Sequence, residues 1–239
     1  MSSASIARIV AAALVLSAAA LPAAARDLVV IASNEPALQP GEIVDSNAEI
    51  VLPAAGRVTL IGPDGRNLIV QGPYAGRPKL GAASSADDPT LVSRISRLFD
   101  ASATNSEMPG GVRGLREAEP RDAWSVNVEH NGTYCVAASG MMRLWRAHAD
   151  APLEVTLRSA GGSNVTRVQW QSQESEISWH VPADATESRF LLRREGDAMP
   201  VVLTLKPIPA ELPNDAERAA WMGENGCAAQ ARRLLQGGG

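Results

Sequence analysis

The residues that could carry out chemistry are few. There are three histidines, His130, His148 and His180. They stand beside turns or at the ends of apolar runs, without H-x-H or H-E-x-x-H spacing. No G-x-S-x-G turn presents a serine as a nucleophile, so the histidines read as exposed side chains rather than as bases or metal ligands. The nearest carboxylate pairs are Asp87-Asp88 and Glu117/Glu119. Paired acid chemistry needs two carboxylates held across a cleft by rigid elements. The first pair suits helix capping and the second lies in a charged, solvated stretch. Gly110-Gly111-Val112-Arg113-Gly114 has glycines but neither the preceding strand nor the following helix of a phosphate loop. These residues point to no catalytic site, no metal site and no cofactor, and the expectation is a protein that is not an enzyme. An envelope hydrolase with an unrecognised site is the catalytic alternative.

Two cysteines remain, Cys135 and Cys227. In an oxidising compartment one disulfide is the expected state, with two buried free thiols as the alternative. A bridge closing a loop of about 90 residues contributes ~4–5 kcal/mol in the chain-entropy description. Structural zinc asks for four ligands, which two cysteines do not supply.

Aromatic residues are also scarce: five Trp against two Tyr and two Phe. Trp124, Trp145, Trp170 and Trp179 fall in one β-rich region, and Trp221 falls on a helix. A large ring is most often core. The alternative is a carbohydrate-binding β-sandwich, which would expose two or three of them on one face. Tyr74 and Arg77 are candidate contact-surface residues, although Pro73-Tyr74 also reads as the edge of a core.

The elements that must position these residues begin with a leader. Arg8 precedes the uncharged apolar run Ile9–Leu21, and Ala23-Ala24-Ala25 offers a small-residue cleavage site before Arg26. This pattern predicts a signal peptide over 1–25, since its apolar run is shorter than the ~20 residues of a membrane span. The expected location is periplasmic or secreted, in a Gram-negative bacterium, with no membrane span after cleavage. Cleavage removes one of the 22 basic residues against 26 acidic ones, changing the net charge from −4 to −5. That balance argues against nucleic acid and against an anionic membrane surface as partners. Another envelope protein is the expected partner.

A β unit is expected over 26–76. Leu28–Ser33 is a continuous apolar run, and Ile50–Tyr74 reads as a meander of hairpins. Val58 and Leu60, then Leu68 and Val70, alternate across Pro63-Asp64-Gly65, a strong local turn signal. Ile61 and Ile69 make both strands apolar on two faces, as in a stack. A linker follows over 77–122, with an amphipathic helix near 89–101. Asp88 is its expected N-cap and Pro89 its first residue. About eight short strands fill 123–207 at the spacing of an Ig-like β-sandwich, with a hairpin turn at Asn131-Gly132. A helical segment occupies 208–239, capped by Asn214 with Glu217 as capping-box partner and broken near Asn225-Gly226. The fold class is mainly β.

The run through Gly41-Glu42-Ile43, Ala48–Leu52, Gly56–Leu60, Pro63–Arg66 and Leu68–Val70 resembles the FecR-type periplasmic β domain. The likeness covers 28–76. It implies a periplasmic module acting by protein–protein contact. The chain lacks the cytoplasmic N-terminal region and spanning helix of the family's signalling members, so a transmembrane relay is not what it implies. The region around Gly132–Cys135, Trp145, Trp221 and Cys227 is similar to uncharacterised proteobacterial secreted proteins. That likeness implies no activity.

Overall fold

The computed structural model describes residues 26–81, 87–106, 119–137, 140–161, 165–181 and 189–237. The expected signal peptide, Gly110–Gly114 and Glu117 lie outside the described residues. Within them the chain is mainly β, with 14 strands in four sheets and three helices.

The first unit contains β1 (Asp27–Ser33), β2 (Ile43–Asp45), β3 (Ile50–Leu52), β4 (Arg57–Ile61), β5 (Asn67–Gln71) and β6 (Tyr74–Gly76). An antiparallel sheet runs β2-β1-β4-β5, and β3 pairs with β6 as a separate ribbon. The Pro63-Asp64-Gly65 turn joins β4 to β5 as its residues dictate. Gly65 takes a φ of +71°, its N–H donates to Gly62 O at 3.0 Å, and Arg66 N donates to Asp64 Oδ1 at 3.0 Å. Both faces of the sheet are covered, which explains the unbroken apolar run of β1. Leu28, Val30, Val58 and Leu60 meet Ile50 and Leu52 of the ribbon. Val29, Ile31 and Ile61 meet helices. Ile69 departs from the expected two-sided burial and is 50% exposed, because β5 is an edge strand beyond the helical cover.

The second unit contains β7 (Ser125–Asn127), β8 (Gly132–Val136), β9 (Met141–Trp145), β10 (Leu153–Ser159), β11 (Val165–Trp170), β12 (Glu176–His180), β13 (Arg189–Arg194) and β14 (Val201–Pro207). Two sheets, β11-β10-β13-β14-β8 and β12-β9-β7, enclose one core containing Trp170 and Trp179. Asn131-Gly132 does not close a hairpin. Strands β7 and β8 belong to different sheets and pair in parallel with β9 and β14. The turn instead carries the chain from one layer to the other, and Asn131 Oδ1 accepts from Val202 N at 2.7 Å.

Three helices, α1 (Leu91–Ser106), α2 (Asp215–Glu224) and α3 (Ala228–Leu235), form a layer between the two units. Their shared core takes Val29, Ile31 and Ile61 from the first sheet and Ala123, Cys135 and Ile208 from the sandwich side. The helix expected within a linker is therefore part of the packing that joins the units. It begins at Leu91 rather than Pro89, because Thr90 O accepts the first helical bond from Arg94 N at 3.0 Å. Asp88 is not the cap itself; it accepts from Thr90 N and Thr90 Oγ1, each at 2.8 Å, and so sets the capping residue. Asn214 caps α2 by accepting from Glu217 N at 2.9 Å. The Glu217 carboxylate does not close a capping box but reaches Arg94 on α1 at 3.1 Å. The expected break falls at Asn225-Gly226, where Gly226 takes a φ of +86°.

Candidate functional site

Cys135 begins the buried part of β8 and Cys227 is the residue before α3; their sulfurs are 2.07 Å apart and their Cα atoms 5.9 Å. Both are buried. One turn into α3, Gln230 is buried against the same strand. Its amide nitrogen donates to Ala123 O at 2.7 Å and Cys135 O at 3.2 Å, and its oxygen accepts from Cys135 N at 2.7 Å. A covalent bond and a side-chain amide thus fix the helix to the edge of the sandwich.

Beside this junction lies a hollow of about 270 Å³, where Tyr134, Arg233, Glu119 and His130 come together with Gln230 and Cys227. The Tyr134 hydroxyl donates to Asn127 O at 3.2 Å. Burial pushes its phenol above the usual tyrosine value, against the opposing effects of that hydrogen bond and of Arg233. Burial also lowers the Arg233 guanidinium, which Glu119 at 3.8 Å supports. An arginine remains protonated throughout the ordinary pH range, and a phenol raised in this way remains neutral there. The cluster therefore offers a cation and hydrogen-bonding groups, and its half-buried Tyr134 and Arg233 hold their protons at neutral pH.

A second charged cluster links helices. Arg94 meets Glu224 at 2.8 Å, Glu217 at 3.1 Å and Asp88 at 3.5 Å. The hydrogen bond with Glu224 is the largest cause raising Arg94. The Thr90 N–H is the largest cause lowering Asp88 below the usual carboxylate range. Asp87 pairs instead with Arg26 at 2.9 Å. Adjacent in sequence, the two carboxylates serve different cations.

The three histidines are exposed. His148 Nδ1 lies 3.4 Å from Glu129, and His180 Nδ1 lies 3.1 Å from Met141 Sδ. No group of three or more His, Cys, Asp or Glu converges on a metal-sized site among the described residues. Tyr74 and Arg77 are brought together by a hydrogen bond from the Tyr74 hydroxyl to Arg77 O at 2.6 Å. The ring packs at the edge of the first core and the Arg77 side chain is exposed. Trp145, Trp170 and Trp179 are buried, while Trp124 and Trp221 are partly buried against cores. None of the five is fully exposed.

Sequence reasoning missed Gln230 and also Arg146, which is 3% exposed. The Arg146 guanidinium donates to Glu174 O, Ala151 O and Gln171 O at 2.7–2.9 Å and stands 5.8 Å from the Trp170 ring centre. The available signal was an arginine directly following a strand tryptophan. No helix among the described residues is long and apolar enough to cross a membrane. The bonded cysteine pair fits an oxidising compartment. No family model matches the chain, and no curated protein matches it.

Proposed function

We propose that the protein is an exported contact or scaffold module of the bacterial envelope, working in the periplasm through another envelope protein and not as an enzyme. The observation that carries this reading is the use made of its buried and half-buried polar groups. Gln230, Arg146 and Tyr134 bond to backbone carbonyls and hold elements in place, and Cys135–Cys227 secures the same junction. Such groups build a fixed shape. The resemblance of 28–76 to a periplasmic contact domain adds to the reading. Arg77, exposed beside the β3–β6 ribbon, is the contact residue of choice.

The test uses the full chain in its native envelope. A photo-crosslinking amino acid at Arg77 is expected to trap one discrete protein, while the same probe at Arg66 in the β4–β5 turn traps none. The mature chain recovered from the periplasm should begin at Arg26. Retention in the cytoplasm with its leader intact, or identical adducts from both positions, would overturn the proposal.

A further inference from the structure

The outward face of the five-stranded sheet is rich in arginine. Alternation along each strand sends Val155 and Leu157, Phe190 and Leu192 into the core, and the intervening residues outward. The register then aligns the outward residues in rows. Arg167, Thr156 and Arg193 are neighbours across β11, β10 and β13. The next row is Val165, Arg158, Leu191 and Val202, and Arg189 pairs with Thr204 beyond it. Arg158, Arg167, Arg189 and Arg193 are all exposed. With strands ~4.8 Å apart and a rise of ~3.4 Å per residue, Arg167 lies about 10 Å from Arg193, and Arg189 about 13 Å from it, between Cα atoms.

Acids are displaced to one end of this face. Glu154 accepts from Gln169 Nε2 at 2.7 Å, and Asp197 in the β13–β14 turn binds Arg194 at 2.6 Å. Glu195 stands in the same turn and lines a hollow there with Glu154 and Arg193. Arg167, Arg189 and Arg193 make no ion pair with another described residue. In a protein with a net negative charge, four exposed arginines share one broad surface.

We infer that this arginine face docks on an anionic phospholipid surface. Charge complementarity names the sign of the partner, and the composition of the face names its kind. Specific protein interfaces seat aromatic rings, together with arginines, as anchors in a desolvated and well-packed centre. This face has arginines at its centre and no aromatic among its outward residues. A charged bilayer asks only that several cations come within about 8–10 Å of it together. Guanidinium forks bind phosphate oxygens in pairs, and Val165, 55% exposed at the edge strand, adds a short aliphatic contact. The net acidity that argued against such a partner averages over the whole chain and hides this placement. The inference goes beyond the proposed protein contact and needs neither that partner nor export.

Purified full-length mature protein is sedimented with vesicles of phosphatidylcholine alone or of phosphatidylcholine mixed with phosphatidylglycerol. Binding is expected only to the second, weakening as salt is raised. Arg167→Gln with Arg193→Gln should weaken partitioning about 30-fold, at about 1 kcal/mol per cation. Arg57→Gln with Arg66→Gln, an equal change in net charge on the first unit, should change it less than about 2-fold by the same reasoning. All four positions are exposed, and unchanged thermal melts confirm that the variants fold. No binding at low salt, equal losses in both double variants, or tighter binding to soluble polyglutamate than to the vesicles would each overturn the inference. The last outcome would assign the face to an acidic protein.

Discussion

Arg146 and Tyr134 hold polar atoms inside the molecule by different means. The arginine spends three N–H groups on three loop carbonyls, so its charge is spread over backbone dipoles instead of being met by a carboxylate. The tyrosine spends one hydroxyl on Asn127 O and leaves its ring against the sandwich core. Because burial raises the phenol, folding favours its protonated form. The resulting stability is fully present below the ordinary tyrosine value of about 10 and is lost as pH rises through the folded value. In a Tyr74→Phe protein all phenolate absorbance belongs to Tyr134, since the chain has two tyrosines. Its midpoint should lie above about pH 10. A midpoint at or below that value would show the ring to be freely solvated.

At the level of elements, the decisive contact is α3 on β8. Gln230 supplies what a strand edge lacks, a donor and an acceptor in register with Cys135, and it also reaches Ala123. Gln230→Leu keeps the bulk but leaves these buried backbone groups unpaired. The expected cost is about 2–4 kcal/mol, read as a lower urea midpoint with an unchanged slope; a loss below about 0.5 kcal/mol would show that water replaces the amide. The apolar face of α3 was legible in the spacing of Cys227, Ala231, Leu234 and Leu235. The role of Gln230 was not, because a glutamine among alanines reads as an ordinary helix former and its partner lies 95 positions earlier. The same contrast separates the two turns. Pro63-Asp64-Gly65 closes on itself, so local chemistry determines it. Asn131-Gly132 has hairpin chemistry, but its flanking strands find partners far along the chain.

At the scale of the whole molecule, the disulfide joins positions 92 residues apart and encloses most of the sandwich together with α2. Reduction should cost ~4–5 kcal/mol by loop entropy, lowering the melting temperature by about 10 °C or more for a chain of this size. Cys135→Ser should melt like the reduced protein; a shift below about 2 °C would show that packing of α3 alone secures the junction. The mainly β class and the bonded cysteines were readable from alternation, turn residues and cysteine count. The helical layer was not, because α1 and α3 each show only an apolar stripe, and a stripe does not name what covers it. The arginine face was hidden for a related reason. Its members come from three strands and become a patch only once pairing sets their rows.

The packing of α3 on the first sheet also fixes an order of events in time. Gln236 Nε2 donates to Ile31 O at 3.4 Å, a contact between residues 205 positions apart. The side of β1 bearing Val29 and Ile31 shares its core with Ala231, Leu234 and Leu235. In a nascent chain α1 can cover part of that side first, and the cover is completed only when α3 has been made. β1 is therefore synthesised well before the helix that completes its enclosure. Shortening the chain before α3 would uncover part of β1, so full packing of β1 waits on the synthesis of α3.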